Sequence, residues 1–178
     1  MQIRYSNIGT EPITQAEVKS WLKVDFATED TLIDALITQI RELSEEASGL
    51  SLVTKTIEYF EEDECIIADW VKLPYPEHDS ITEVVYNGET LTSDSYSVTG
   101  LTQKLIKITG SISTDADTLN DKGLKVTYTA KGTCPSGVKL AMLKEVAEAY
   151  ERRGSTTEET VNNLTSSFYN YLQQFKAY

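Results

Sequence analysis

The sequence predicts an α+β protein: a small helical bundle made from its N- and C-terminal segments, an antiparallel β region inserted between them, and an extended helical arm at the C-terminus. Three observations predict it. Apolar residues recur at three- and four-residue spacing over 14–48 and again over 135–153. The residues between, 52–131, switch to β-branched and aromatic runs broken by Asn-Gly, Gly and Pro. A last apolar stripe at helical spacing follows Gly154 and a polar link. The expected division is a main domain over 1–154 and an arm over 155–178.

Residues 1–13 read as an extended arm. Thr14 and Glu17 form a T-x-x-E capping box, in which each side chain satisfies the other residue's backbone N–H. Val18, Trp21 and Leu22 then fall on one helical face. Val24-Asp25-Phe26 interrupts the helix, and Thr28 is the expected N-cap of the next one, with Glu29 and Asp30 set against the positive end of its dipole. Leu32, Ile33, Leu36, Ile37, Ile40, Leu43 and Ala47 make the widest apolar stripe in the chain, and Gly49 is placed to end that helix. Trp21, Leu36, Ile40 and Val146 are expected to be buried where the two helical ends meet.

In the β region, 54–60, 65–73, 81–86, 96–98, 105–108 and 124–129 are the expected strands. Asn87-Gly88 is a two-residue hairpin signal, because both residues tolerate positive φ. Leu124 to Thr129 alternates apolar and polar throughout. Residues 111–122 read as a polar loop. Pro135-Ser136-Gly137 opens the third helix, with Val138, Ala141, Met142, Val146, Ala147 and Tyr150 as its stripe. A final helix is expected through Val161, Leu164, Phe168, Tyr171, Leu172 and Phe175.

The chain has 178 residues, enough for a core without staples. Its charge is 16 − 28 = −12, which disfavours tight binding to nucleic acid, because that binding is driven by cations that displace phosphate counterions. Cys65 and Cys134 match no zinc or redox spacing and are expected to be reduced thiols. The first fifteen residues lack the apolar core of a signal peptide, and no run approaches the roughly eighteen apolar residues of a membrane span. A cytoplasmic site of synthesis and no membrane partner are the expectations.

The sequence offers little for chemistry. His78 is the only histidine and lies in a Pro-rich turn, so it has no histidine partner for acid–base work. The acidic run of Glu58, Glu61, Glu62, Asp63 and Glu64 has the oxygen ligands of a hard-cation site, but solvated acidic runs look the same. Asp115, Asp117 and Asp121 fail the calcium-loop pattern, since the next ligand slot is Leu119 and no glycine turns the loop. No nucleophile elbow, phosphate-binding loop or H-E-x-x-H occurs. No catalytic residue, metal site or cofactor is expected, and the chain reads as no enzyme. The C-terminal stripe differs. From Leu164 to Tyr178 it carries five aromatics and one charged side chain, Lys176. Leu164, Phe168, Tyr171, Leu172, Phe175 and Tyr178 have the spacing of helical docking anchors. The same spacing also suits a helix that completes its own core.

Several segments together resemble the head–tail connector (adaptor or head-completion) proteins of tailed bacteriophages. They are VKSWLKVD at 18–25, DTLIDALI at 30–37, RELSEEASGLSLV at 41–53, LPYP at 73–76, ITEVVYNG at 81–88 and PSGVKLAMLKEVAEAYERR at 135–153. The resemblance spans roughly 14–153. It implies a connector domain built of a helical bundle with a β insertion, with helices over 14–48 and 135–153 and the insertion over 52–131. It implies a ring, normally a dodecamer, below the portal at the head–tail neck of a virion. There the ring would extend the DNA channel without binding DNA specifically and would offer a platform to the next tail or neck protein. It also implies docking on the portal through a C-terminal segment, here 155–178. Two other readings fit the strands: a β-rich binding or adhesin module, and another neck or tail-completion ring protein.

Overall fold

A computed structural model describes residues 1–62, 70–75, 78–100, 104–110, 123–152 and 164–176. The chain is α+β, with four α-helices and two antiparallel sheets, and it divides into two compact units. One is the β unit, 1–9 with 54–132. The other is the helical unit, 10–53 with 133–176.

The β unit holds a five-stranded sheet in the order β1-β2-β8-β4-β5 and a three-stranded sheet in the order β3-β7-β6. In the first, β1 is Gln2–Ser6, β2 Lys55–Glu61, β4 His78–Tyr86, β5 Glu89–Thr90 and β8 Leu124–Ala130. In the second, β3 is Val71–Lys72, β6 Tyr96–Thr99 and β7 Leu105–Ile108. Strand β8 is central. Its alternation, legible in the sequence, puts Leu124, Val126, Tyr128 and Ala130 inward with essentially no exposure. Ile57 and Tyr59 of β2, Val84 and Tyr86 of β4, and Ile106 and Ile108 of β7 close one core that both sheets share. The hairpin turn falls at Asn87-Gly88, where φ is 48° and 82°.

Two expectations are corrected in this unit. Residues 1–13 are no free arm: Gln2–Ser6 pairs antiparallel with β2, from Gln2 against Phe60 to Ser6 against Thr56. The strand expected over 65–73 is described only at its end, as β3, with Trp70 exposed before it. The polar loop at 111–122 lies outside the described residues, as do Cys65 and the aspartates 115, 117 and 121.

The helical unit contains α1 (Gln15–Leu22), α2 (Asp30–Ser48), α3 (Ser136–Glu151) and α4 (Ser166–Leu172), the last continued by one 3-10 turn over Gln173–Phe175. Helix α1 begins on the expected capping box: Glu17 N–H donates to Thr14 Oγ1 at 3.2 Å, and Thr14 N–H donates to Glu17 Oε2 at 2.8 Å. Helix α2 begins one residue later than expected. Glu29, not Thr28, is its N-cap and makes no side-chain cap. Gly49, at φ 72°, ends it and donates to Glu45 O.

Ile33, Leu36, Ile37, Ile40 and Ala47 of α2 meet Val18 of α1 and Val138, Met142, Val146 and Tyr150 of α3 in one core. Each large aliphatic buried here contributes roughly 1.5–3 kcal/mol. Trp21 is a correction: it is 48% exposed. It lies three residues after Val18, at the margin of a helix only eight residues long, and Val18 takes the central position. Leu32 is likewise exposed and Leu43 only half-buried. In their place the inward face of α2 carries Arg41, Ser44, Glu45 and Ser48.

Candidate functional site

The residues expected to dock elsewhere are found packed on the helical unit. Thr165 caps α4, its Oγ1 accepting from Phe168 N–H at 3.4 Å. The buried carboxylate of Glu145 on α3 holds that cap: Thr165 N–H donates to Oε2 at 3.2 Å, and the Thr165 hydroxyl donates to Oε1. Phe168 and Leu172 then insert into the core, 4% and 0% exposed. Leu164, Tyr171 and Phe175 pack against the same core, half-buried. The Tyr171 hydroxyl rests on the backbone of Gly137, where any Cβ would displace it. Its ring meets Phe175 edge-on at 5.4 Å. Gln173 Nε2 donates to Ala47 O at 3.0 Å, fastening the end of the segment to α2. Five of the six proposed anchors therefore bury their apolar surface against their own chain. The sixth, Tyr178, lies outside the described residues.

The outward side of this segment forms a site. An open cleft of about 630 Å³ lies between the C-terminal half of α2 and α4. Leu43, Glu46 and Ala47 line it from α2, and Leu164, Tyr169 and Lys176 from the C-terminal segment. Tyr169 is 47% exposed. Its lining mixes these apolar groups with Ser166, Asn170 and the opposite charges of Glu46 and Lys176, and holds no histidine or cysteine.

Beside the cleft, α2 is stiffened by a polar seam that sequence reasoning missed. Arg41 is 2% exposed. Its Nε donates to Glu11 Oε2 at 2.9 Å and to Oε1 at 3.1 Å; Nη1 meets Glu45 Oε2 at 2.8 Å and Nη2 meets Glu42 Oε1 at 3.2 Å. Burial works against its charge, but Glu11, Glu45 and Glu42 together outweigh it and hold the guanidinium above its ordinary range. Glu45 Oε1 also accepts from Leu52 N–H at 2.7 Å, so the seam ties α2 to the segments on either side of it. The signal was present: Arg41 and Glu45 are four apart, and they share the phase of Ile37 and Ile40.

In the β unit, the described part of the acidic run is engaged by protein groups. Arg4 meets Glu58 at 3.4 Å, Gln2 donates to Glu62 at 3.3 Å, and Glu61 accepts from the Tyr59 hydroxyl and lies 3.7 Å from the N-terminal amine. Asp63 and Glu64 lie outside the described residues. Among the described residues no three His, Cys, Asp or Glu side chains converge as metal ligands. His78 stands at the start of β4, opposite Ala130. Lys55 is buried with its amine 4.0 Å from the Tyr75 ring centroid and 4.5 Å from that of Tyr5. Tyr59 and Tyr128 have phenols pushed above their ordinary range, chiefly by burial. Cys134 is a half-buried free thiol, raised by burial. Among the described residues no helix is long and apolar enough to cross a membrane.

No protein-family model and no curated protein matches this sequence. Solved structures do match its fold. The match runs end to end. In the neck of the empty gene transfer agent (GTA) particle computed with C6 symmetry, a chain 14% identical superposes with a TM-score of 0.70, over 100% of this chain and 96% of that one. In the virion of the native GTA particle the TM-score is 0.69 at 14% identity, with the same coverage. In the neck of the native particle computed with C12 symmetry it is 0.63 at 12% identity, again over 100% and 96%. At such identity the likeness is one of fold, and it takes in both the helical and the β unit.

Proposed function

We propose that this chain is a non-enzymatic structural subunit of a particle neck, a ring-forming connector between a DNA-filled head and its tail. One observation carries the reading: the whole chain, not one of its units, shares the fold of chains found in GTA particle necks. Two further features support it. Those necks were computed with sixfold and twelvefold symmetry, which is the setting of a subunit repeated around an axis. The net charge of −12 suits a wall past which DNA moves without sticking.

In this proposal the partners are further copies of the chain, a portal on the head side and a further neck or tail protein on the other. In this proposal any docking of the C-terminal segment, 155–178, on a portal uses its exposed side chains, since Phe168 and Leu172 pack in the chain's own core. A β-rich adhesin module would leave the two helical ends, and their joint core, without a purpose.

The test is co-expression with the candidate portal protein of the same genome, followed by electron microscopy of the purified particles. The expected result is an added ring of density on the portal's tail side. Portals that stay bare, with the chain running as a separate monomer, would overturn the reading.

A further inference from the structure

The three-stranded sheet has one face in the core of the β unit and one face outside it. Ile106 and Ile108 of β7 are buried in that core, with Val71 packed against it. Side chains alternate along a strand, so the neighbours of these residues share the other face. The register sets Leu105 between Lys72 and Thr99, and Lys107 beside Ser97. Trp70, 44% exposed, completes this outer face, with the Lys107 amine 6.0 Å from its ring centroid. Lys72, Ser97 and Thr99 are exposed as well.

The charge of this face is opposite to that of the chain. Acidic side chains outnumber basic ones by 28 to 16, yet the face holds two lysines and, among the described residues, no carboxylate. Neither Lys72 nor Lys107 makes an ion pair among the described residues. The outer face of the five-stranded sheet differs: there Arg4 is 3.4 Å from Glu58 and Lys125 is 3.8 Å from Glu83, so each cation has its own carboxylate.

We propose that the outer face of the β3-β7-β6 sheet is where this chain meets the phosphate backbone of DNA; this rests on the neck reading above and names the surface that touches DNA in it. The side-chain chemistry selects that partner. Lysine, serine and threonine are the groups that donate to phosphate oxygens without reading sequence. Lysine and serine are depleted where two proteins bury a contact, so the same set fits a protein partner poorly. An exposed tryptophan beside a lysine adds a ring on which an unpaired base can stack. Two cations in a chain of net charge −12 make a weak contact. Repeated around a ring, weak contacts of this kind guide a duplex without holding it at any sequence.

The test uses the full chain and two labelled probes, a short DNA duplex of mixed sequence and one of its single strands. Binding is read by fluorescence anisotropy over a salt series. Weak binding that falls with salt and ignores sequence is expected. Lys72→Gln and Lys107→Gln should each lower the slope of log affinity against log salt by about 1. Lys144→Gln, at an exposed lysine of α3 that also makes no ion pair among the described residues, should leave the slope unchanged. Lys72→Glu with Lys107→Glu should weaken binding about tenfold or more, with an unchanged melting curve. Trp70→Ala should weaken the single strand about tenfold and the duplex by less, the mark of a ring that stacks on unpaired bases.

Three results would overturn the proposal. If the parent binds DNA and the double glutamate variant binds it equally, with the same salt slope, the phosphates meet another surface. If neither probe binds the parent at low salt, alone or in rings on portals, the face is no DNA contact. If the double variant no longer joins rings while its DNA affinity is unchanged, the face meets a protein instead. Ring density on portals decides the neck reading separately, so each of these results can occur with that reading intact.

Discussion

Asn87 and Gly123 hold each other by two hydrogen bonds across thirty-six residues of chain: Gly123 N–H donates to Asn87 Oδ1 at 2.9 Å, and Asn87 N–H donates to Gly123 O at 3.0 Å. The β4–β5 hairpin is thereby fixed to the first residue before the central strand β8. Gly123 has φ 132°, and a Cβ there would collide with the Glu61 carbonyl. Gly123→Ala combines a glycine-only backbone with a steric clash and should cost about 2–3 kcal/mol or more. Asn87→Ala loses the side-chain bond and a residue tolerant of its φ of 48°, and should cost about 1–2 kcal/mol. Urea denaturation measures both. A Gly123→Ala midpoint equal to that of the parent would show that the 61–62 backbone yields freely.

Leu36 and Trp21 make a paired test of the helical core. Leu36 is 6% exposed among the α2–α3 contacts, and Leu36→Ala should cost about 2–5 kcal/mol. Trp21→Ala should change monomer stability by about 0.5 kcal/mol or less, because its ring stands at the surface. Thermal melts of the two variants check the contrast. Equal losses would mean that Trp21 is packed after all.

Arg41 is expected to be the costliest polar position in α2. Arg41→Met leaves Glu45 buried without its cation and Glu11 without its bidentate partner, and should lose about 3–5 kcal/mol. Replacing Arg41 and Glu45 together by Met and Leu should recover much of that loss, since the uncompensated charge goes with its partner. A double-mutant cycle by chemical denaturation reads the coupling. Additive losses would show that the two side chains do not act as a pair.

Glu17 supplies a pH dependence with a defined sign. The hydrogen bond from Lys139, followed by that from Thr14 N–H, lowers its carboxyl from the ordinary 4.5 to about 2. A carboxyl more acidic in the folded state contributes stability above pH 4.5, and that contribution is lost as pH falls from about 4.5 through 2. Glu17 and Lys139 are 40% and 39% exposed, so solvent screens the pair and the effect is about 1 kcal/mol at most. Glu17→Gln should flatten this part of the stability–pH curve relative to the parent. Parallel curves over pH 2–5 would remove Glu17 as the cause.

What was legible in the sequence was the local order. Strict alternation in β8, the Asn-Gly turn, the Thr14–Glu17 box and the stripe from Ile33 to Ile40 each depend on residues within a few positions of one another. What was hidden depends on distant partners. The edge strand β1 has a short, polar sequence, and only pairing with β2, more than fifty residues away, makes it a strand. Arg41, Glu45 and Ser44 read as surface residues by type, yet Glu11 and Leu52 N–H arrive from outside the helix to satisfy the buried charges. The apolar stripe at 164–175 showed that a surface would be covered, but periodicity carries no information on whether the covering chain is the same one.

That ambiguity is resolved by removing the segment. Phe168 and Leu172 complete the core that Ile37, Ile40 and Met142 form, and Glu145 is buried beneath Thr165. Phe168→Ala alone should cost about 3–5 kcal/mol. Deleting 164–178 should do worse, because it removes Phe168 and Leu172 together and opens the core to water. The truncated chain is expected to melt well below the parent or to aggregate, with the loss confined to helical signal if the β unit persists. A truncated protein with an unchanged melting curve would show the opposite: the segment is dispensable to the fold, and its aromatic stripe is available as an arm for another protein.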